Sequence, residues 1–165
     1  MIILGIDPGY AIVGFGVISY NGSRFKVLEY GAITTDKNTP FPERLNEIYD
    51  GMNYLLDKYQ PAAISIEKLY FNTNTTTAIS VAQARGVCVL AGVKHGVEIA
   101  EYTPLQVKMA VTGYGRAEKH QIMEMTKTLL SLKEIPKPDD AADALAIAIC
   151  HAHTSGSIAA RLGKL

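Results

Sequence analysis

The chain has 165 residues, 48% of them hydrophobic, and 16 basic side chains balance 16 acidic ones. That size and apolar content suit one domain with a sizeable core. No apolar stretch approaches the roughly 20 residues of a membrane span, and the start carries no basic n-region, so neither a membrane role nor a secretory leader is expected. Cys88 and Cys150 lie far from any paired or metal-ligating spacing, as buried thiols of a reducing, cytoplasmic compartment would. The neutral total conceals a local bias: Leu105 to Lys133 carries five basic residues against two acidic, and Asp36 to Glu67 three against six.

Met1 to Ile6 is an apolar run of strand length that ends on Asp7, with Pro8-Gly9 turning the chain at once. Ile12 to Tyr20 reads as a second strand, Asn21-Gly22 as a hairpin turn, and Arg24 to Thr34 as a third, wetter strand. Pro40 and Pro42 open an amphipathic helix whose core stripe is Phe41, Leu45, Ile48, Tyr49, Met52, Leu55, Leu56 and Tyr59, and Gln60-Pro61 closes it.

Ala62 to Glu67 repeats the opening pattern, an apolar run ending on an acid. A polar loop led by Tyr70 and Phe71 precedes a helix from Ala78 to His95, rich in small residues, and Val97 to Tyr102 is a further short strand. Pro104 to Val111 suggests a short helix, and Gly113 to Ala117 a glycine loop. Glu118 to Leu130 is expected to be a helix with Ile122, Met125, Leu129 and Leu130 on its apolar side. After Pro136-Lys137-Pro138 a last, largely apolar helix is predicted from Asp139 to about His153. The domain is thus expected over residues 1–155, with 156–165 a loosely ordered tail. This order predicts an α/β fold: a mixed sheet with three antiparallel N-terminal strands, further parallel strands, and helices on both faces.

If the strands ending at Asp7 and Glu67 are parallel neighbours, both carboxylates emerge at one edge of the sheet, where α/β folds place their sites. Asp140 and Asp143, three apart, or Asp139 and Asp143, four apart, can look out from one face of the last helix. Periodicity does not choose between Asp139 and Asp140, although Asp139 after a proline suits an N-cap. Converging carboxylates repel unless cations lie between them. An all-oxygen ligand set without His or Cys favours Mg²⁺ or Mn²⁺, and two such ions about 4 Å apart suit phosphodiester hydrolysis. Taken one at a time, each acid also fits a turn or a helix start, where acids suit the dipole.

Ile-Leu-Gly-Ile-Asp-Pro-Gly at 3–9, Ile-Glu at 66–67 and Asp-Ala-Ala-Asp-Ala-Leu-Ala at 140–146 resemble the Holliday junction resolvases, the crossover junction endodeoxyribonuclease family. Gln-Ala-Arg-Gly at 83–86, Gln-Val-Lys at 106–108 and Ala-Glu-Lys at 117–119 match its pattern too. Gly-Ile-Asp-Pro-Gly alone also opens sugar kinases and actin-like ATPases, but those need a second duplicated domain. A junction-binding protein without catalysis is the alternative from another class.

The resemblance implies an RNase H-like fold and a homodimer nicking opposed strands of a four-way DNA junction. Asp7, Glu67, Asp140 and Asp143 would be its Mg²⁺-binding catalytic acids, which leaves Asp139 as an additional cap. It further implies that Tyr70 stacks on junction bases, that Lys108 and Lys119 lie near the scissile phosphate, and that a branch-migration helicase complex is a partner. Arg116, in the glycine loop, is a weaker DNA-contact candidate, and Arg85 is assigned to either the dimer or DNA. His151 and His153, two apart on a helix, make a poor metal pair.

Overall fold

The computed structural model describes residues 1–69 and 75–162. Its elements are β1 (Ile2–Asp7), β2 (Ile12–Tyr20), β3 (Phe25–Thr34), α1 (Phe41–Tyr59), β4 (Ala63–Glu67), α2 (Thr75–Lys94), β5 (Glu98–Tyr102), α3 (Pro104–Thr112), α4 (Lys119–Leu129) and α5 (Asp139–Leu162). The strands form one sheet in the order β3-β2-β1-β4-β5. β1 pairs antiparallel with β2 and parallel with β4, and β4 pairs parallel with β5. The expected mixed sheet is therefore present, with the two acid-ended strands as central neighbours.

Alternation along β1 sorts its side chains between two cores. Leu4 and Ile6 join Ile64 and Ile66 of β4 against Ile48, Met52 and Leu56 of α1 and Ala84, Cys88 and Ala91 of α2. Ile3 faces the other way and packs with Val107 of α3 and Leu145, Ile147 and Ile149 of α5. Asp7, in step with Ile3, emerges on the α5 face, and Glu67 does the same because Ile64 and Ile66 face α1 and α2. Both thiols are buried, and burial pushes the Cys88 thiol up to about 12, which leaves it unreactive. Among the described residues no helix is long and apolar enough to cross a membrane.

Close approach of α5 to the sheet depends on strand glycines. A Cβ on Gly5 would lie 2.0 Å from the Ala144 carbonyl oxygen, and one on Gly14 2.1 Å from that of Asp140. Glycine inside a strand commonly marks such backbone proximity. Because Gly14 lies opposite Asp7 in the β1–β2 register, seating Asp140 on Gly14 also seats it beside Asp7.

Several details differ from expectation. α2 starts at Thr75 rather than Ala78, taking in threonines whose low helix propensity reads as loop. α5 continues to Leu162, past the expected end near His153; the Thr154-Ser155-Gly156-Ser157 run looks like a helix stop but is followed by strong helix formers. On α4, Ile122, Leu129 and Leu130 pack inward as expected, but Met125 is 38% exposed while Met123 and Thr126 are buried. Asp139 is the first residue of α5, not its cap, and its carboxylate meets Lys119 at 3.5 Å.

Candidate active site

Three elements deliver acids to one edge of the sheet. Asp7 ends β1, Glu67 ends the adjacent parallel β4, and Asp140 and Asp143 project from the first turns of α5. The turn leaving Asp7 is tied down behind it. Thr35 Oγ1 donates to the Tyr10 carbonyl at 2.7 Å, and the buried Arg44 donates from Nε to Thr35 Oγ1 and from Nη2 to the same carbonyl. The Arg44 guanidinium also lies 4.8 Å from the centre of the Tyr10 ring. Charged residues are rarely this buried without such partners, so Arg44 serves the fold beneath the site.

The electrostatics show that the acids sense one another. Burial, then the charges of Asp143, Glu67 and Asp140, push the Asp7 carboxyl from 3.8 up to about 7, against a smaller lowering by Lys119. Glu67 is raised by burial and by Asp143, and Asp143 is raised by burial, which outweighs the lowering by Lys119. Burial lowers the Lys119 ammonium, but its bonds to Asp143 and Asp139 win and the net direction is up. Its Nζ lies 3.2 Å from Asp143 Oδ2. As the side chains stand, no three Asp, Glu, His or Cys among the described residues are grouped tightly enough to hold a metal ion. Lys119 instead supplies the positive charge that the acids attract.

The donor set nevertheless fits a hard divalent cation. It is all carboxylate, and a divalent ion would offset both the burial of Asp7 and the repulsion from Asp143, Glu67 and Asp140 that together raise its pKa. Beside the acids lies a cavity of about 220 Å³ between α3, α4 and α5, lined by Glu67, Asp143, Lys108 and Lys119 on a floor of Val107, Ile122, Ala146 and Ile147. It places acids and two ammonium groups around one space, as a phosphodiester beside a carboxylate cluster requires.

Six of the eight candidate residues therefore come together: Asp7, Glu67, Asp140, Asp143, Lys108 and Lys119. Arg116 stands exposed in the loop between α3 and α4, outside the cavity lining. Tyr70 and Phe71 lie outside the described residues. His151 accepts or donates at 2.8 Å to the Tyr102 hydroxyl, and His153 is bonded to the Ala110 carbonyl, so both are structural. Sequence reasoning missed what Arg85 does: its Nε donates to the Glu67 carbonyl at 3.2 Å. Nothing in the spacing of α2 signals that contact; Gly5 and Gly14, by contrast, fall inside predicted strands, where glycine is itself a signal of close backbone approach.

Two parallel central strands flanked by an antiparallel hairpin, with acids at both central strand ends and on the helix packed across them, form an RNase H-like α/β fold. Residues 3–151 match the family model for Crossover junction endodeoxyribonuclease RuvC. The chain is 61% identical over 154 residues to Crossover junction endodeoxyribonuclease RuvC of Alkaliphilus metalliredigens (strain QYMF), covering 93% of this chain and 94% of that one. To its namesake from Desulforamulus reducens it is 54% identical over 162 residues, 98% of this chain and 99% of the relative. Among solved structures it is similar to T. thermophilus RuvC in complex with Holliday junction substrate, with a TM-score of 0.91 and 34% identity over 95% of this chain and 96% of that one. The chain belongs to the RuvC family of crossover junction endodeoxyribonucleases.

Proposed function

We propose that this chain resolves four-way DNA junctions by Mg²⁺-dependent nicking of opposed strands, with Asp7, Glu67, Asp140 and Asp143 as the metal-binding catalytic acids. The observation that carries this reading is that Asp7 at the end of β1 lies close enough to Glu67 of β4 and to Asp140 and Asp143 of α5 for their charges to add to the rise in its pKa that burial begins, next to a cavity with two lysines. The likeness to a RuvC in complex with Holliday junction substrate supports the substrate class.

Asp7, Glu67, Asp140 and Asp143 would hold Mg²⁺, with Mn²⁺ able to replace it, and two ions per site match the number of acids. When bound, such ions acidify a water and stabilise the leaving oxygen of a phosphodiester. The chain's own residues do the rest. The sheet edge holds Asp7 and Glu67 at the ends of two adjacent parallel strands, and α5 brings Asp140 and Asp143 near them. Lys108 and Lys119 face the cavity, where their ammonium groups attract and orient the phosphate. Lys119, at the first position of α4, would turn from Asp143 and Asp139 toward the phosphate as DNA arrives. Tyr70 would stack on unpaired bases, worth about 1–3 kcal/mol per base, and Arg116 would contact the backbone of a junction arm.

The test is single-turnover cleavage of a synthetic four-way junction with and without Mg²⁺. Symmetrically placed nicks in opposed strands, only with the ion, are expected. Tight junction binding without nicking under any divalent ion would instead make this a binding protein.

We also propose a homodimer built on α2. Ile79, Leu90 and Val93 are 69%, 50% and 60% exposed on that helix, and their spacing and the small side chains among them suit helix-to-helix contact. Two sites related by a twofold axis would place one nick on each opposed strand. Sedimentation at micromolar concentration is expected to return twice the 17.9 kDa chain mass; a monomer mass that persists on adding junction would reject the dimer.

A further inference from the structure

α2 carries two charged residues, Arg85 and Lys94, and Arg85 turns toward the acidic edge. Its Nε donates to the backbone carbonyl of Glu67 at 3.2 Å. Its Nη2 lies 3.2 Å from Glu101 Oε2 on β5, and the arginine side chain is 18% exposed. On the other side of the same peptide unit, the Lys68 N–H donates to the Tyr102 carbonyl at 2.8 Å. Glu67 is the last residue of β4, where the parallel ladder stops. A carbonyl at such an end needs a donor from elsewhere, and a guanidinium held by a carboxylate is a stiff one with a fixed fork.

We infer that Arg85 is a positioning residue for Glu67. It grips the carbonyl of the Glu67 peptide from α2 while Glu101 holds the guanidinium in place, and β5 grips the N–H of that same peptide unit from the opposite side. The carboxylate of Glu67 is thereby aimed at the edge where Asp7 and Asp143 meet it, and α2 becomes a mechanical part of the site. This rests on Glu67 being one of the metal-binding acids proposed above. It differs from both sequence-level assignments of Arg85, because the side chain is used inward, neither against a second copy nor against DNA.

The full-length chain is tested as Arg85→Gln, Arg85→Lys and Glu101→Gln. A displacement of the carboxylate by about 1 Å costs on the order of 100-fold in rate, so Arg85→Gln is expected to slow single-turnover junction cleavage by about 30- to 100-fold. The Mg²⁺ concentration for half-maximal rate should rise several-fold, as on loss of a group that orients a metal ligand. Junction affinity without divalent ion, and the sedimentation mass, should stay as in the wild type. Arg85→Lys should recover part of the rate, since an ammonium can still reach one of the two partners. Glu101→Gln, which leaves Arg85 in place and covers the case in which Arg85→Gln does not fold, should lose about 3- to 10-fold with the same upward shift in Mg²⁺ requirement.

An unchanged rate and Mg²⁺ midpoint in all three variants overturns the inference. So does a fall in sedimentation mass, which returns Arg85 to the dimer, or a loss of junction affinity at an unchanged Mg²⁺ midpoint, which returns it to DNA. Calorimetry with Mg²⁺ alone separates this from the nuclease reading. A wild type that neither binds Mg²⁺ nor cuts a junction sinks that reading, whereas a wild type that does both while Arg85→Gln matches it sinks only the positioning role.

Discussion

Asp7→Asn is expected to cut a four-way junction at least on the order of 1,000-fold more slowly than the wild type while folding more stably at pH 8 without divalent ions. The loss follows from removing one of the proposed metal-binding carboxylates, at a buried corner of the acid cluster. The gain follows from the same burial. In the folded chain the Asp7 carboxyl titrates about 7 instead of 3.8, so the folded state keeps its proton where the unfolded chain has lost it. Stability from the neutral carboxyl is fully present below about pH 4 and is lost as the pH rises through about 7. Asparagine has no proton to lose and no charge to set against Asp140, Asp143 and Glu67.

The variant's stability should therefore stay flat through that window, and the gap between the two proteins should open from pH 4 to pH 8. At pH 8 it should reach on the order of 1–3 kcal/mol, given about 1.4 kcal/mol for each tenfold change in proton affinity. Adding Mg²⁺ should raise the wild-type Tm at pH 8 and close the gap, because the ion offsets the repulsion that asparagine relieves. Thermal melts at four pH values, with and without Mg²⁺, check this beside the cleavage assay. Normal cutting by Asp7→Asn, or a stability difference that ignores pH, would remove Asp7 from the acid cluster.

Most of this arrangement was legible from residues alone because its signals are local. An apolar run ending on an acid appears twice, at Asp7 and Glu67, and each run is short enough to be only a strand. The alternation that puts both acids on the α5 face needs no more than the period of two. An acid pair one helical turn apart at a helix start is again a local pattern, although only the family resemblance chose Asp140 over Asp139 as the partner of Asp143. What sequence did not reveal depends on contacts between segments far apart. Arg85 meets Glu67 across 18 positions and Arg44 meets Tyr10 across 34, and neither arginine differs by local pattern from a solvated one. Likewise, Lys119 was expected to face a phosphate, yet its 3.2 Å contact with Asp143 arises only once α4 and α5 pack. On α4 Thr126 is buried and Met125 exposed against expectation, a choice made by tertiary packing over hydrophobicity.

The strand glycines decide whether the acids meet at all, and Gly14→Ala is the substitution that tests it. The new methyl would lie 2.1 Å from the Asp140 carbonyl oxygen, 2.4 Å from its carbon and 2.8 Å from its Cβ. Two of these atoms are backbone, so no rotamer change relieves the clash, and either β2 or the first turn of α5 must move. Overpacking of this kind costs about 1–3 kcal/mol and can exceed that, which for a domain of this size lowers Tm by roughly 2–4 °C per kcal/mol. The effect on cleavage should be larger than the effect on stability. Moving the first turn of α5 carries Asp140 and Asp143 away from Asp7 together, so a loss of at least about 100-fold is expected at a temperature where the variant remains folded.

Gly31→Ala provides the contrast within the same sheet. Its methyl would approach only the Phe15 ring, at 3.1 Å, and a ring edge can give way. That variant should melt within a few degrees of the wild type and cut at a comparable rate. Melts and cleavage measured on both decide the matter. Full activity in a folded Gly14→Ala would show that the close seat of α5 on β2 is not what brings Asp140 to Asp7. A selective loss of cleavage there, with Gly31→Ala unaffected, would show that a missing side chain in a strand sets the geometry of the acids.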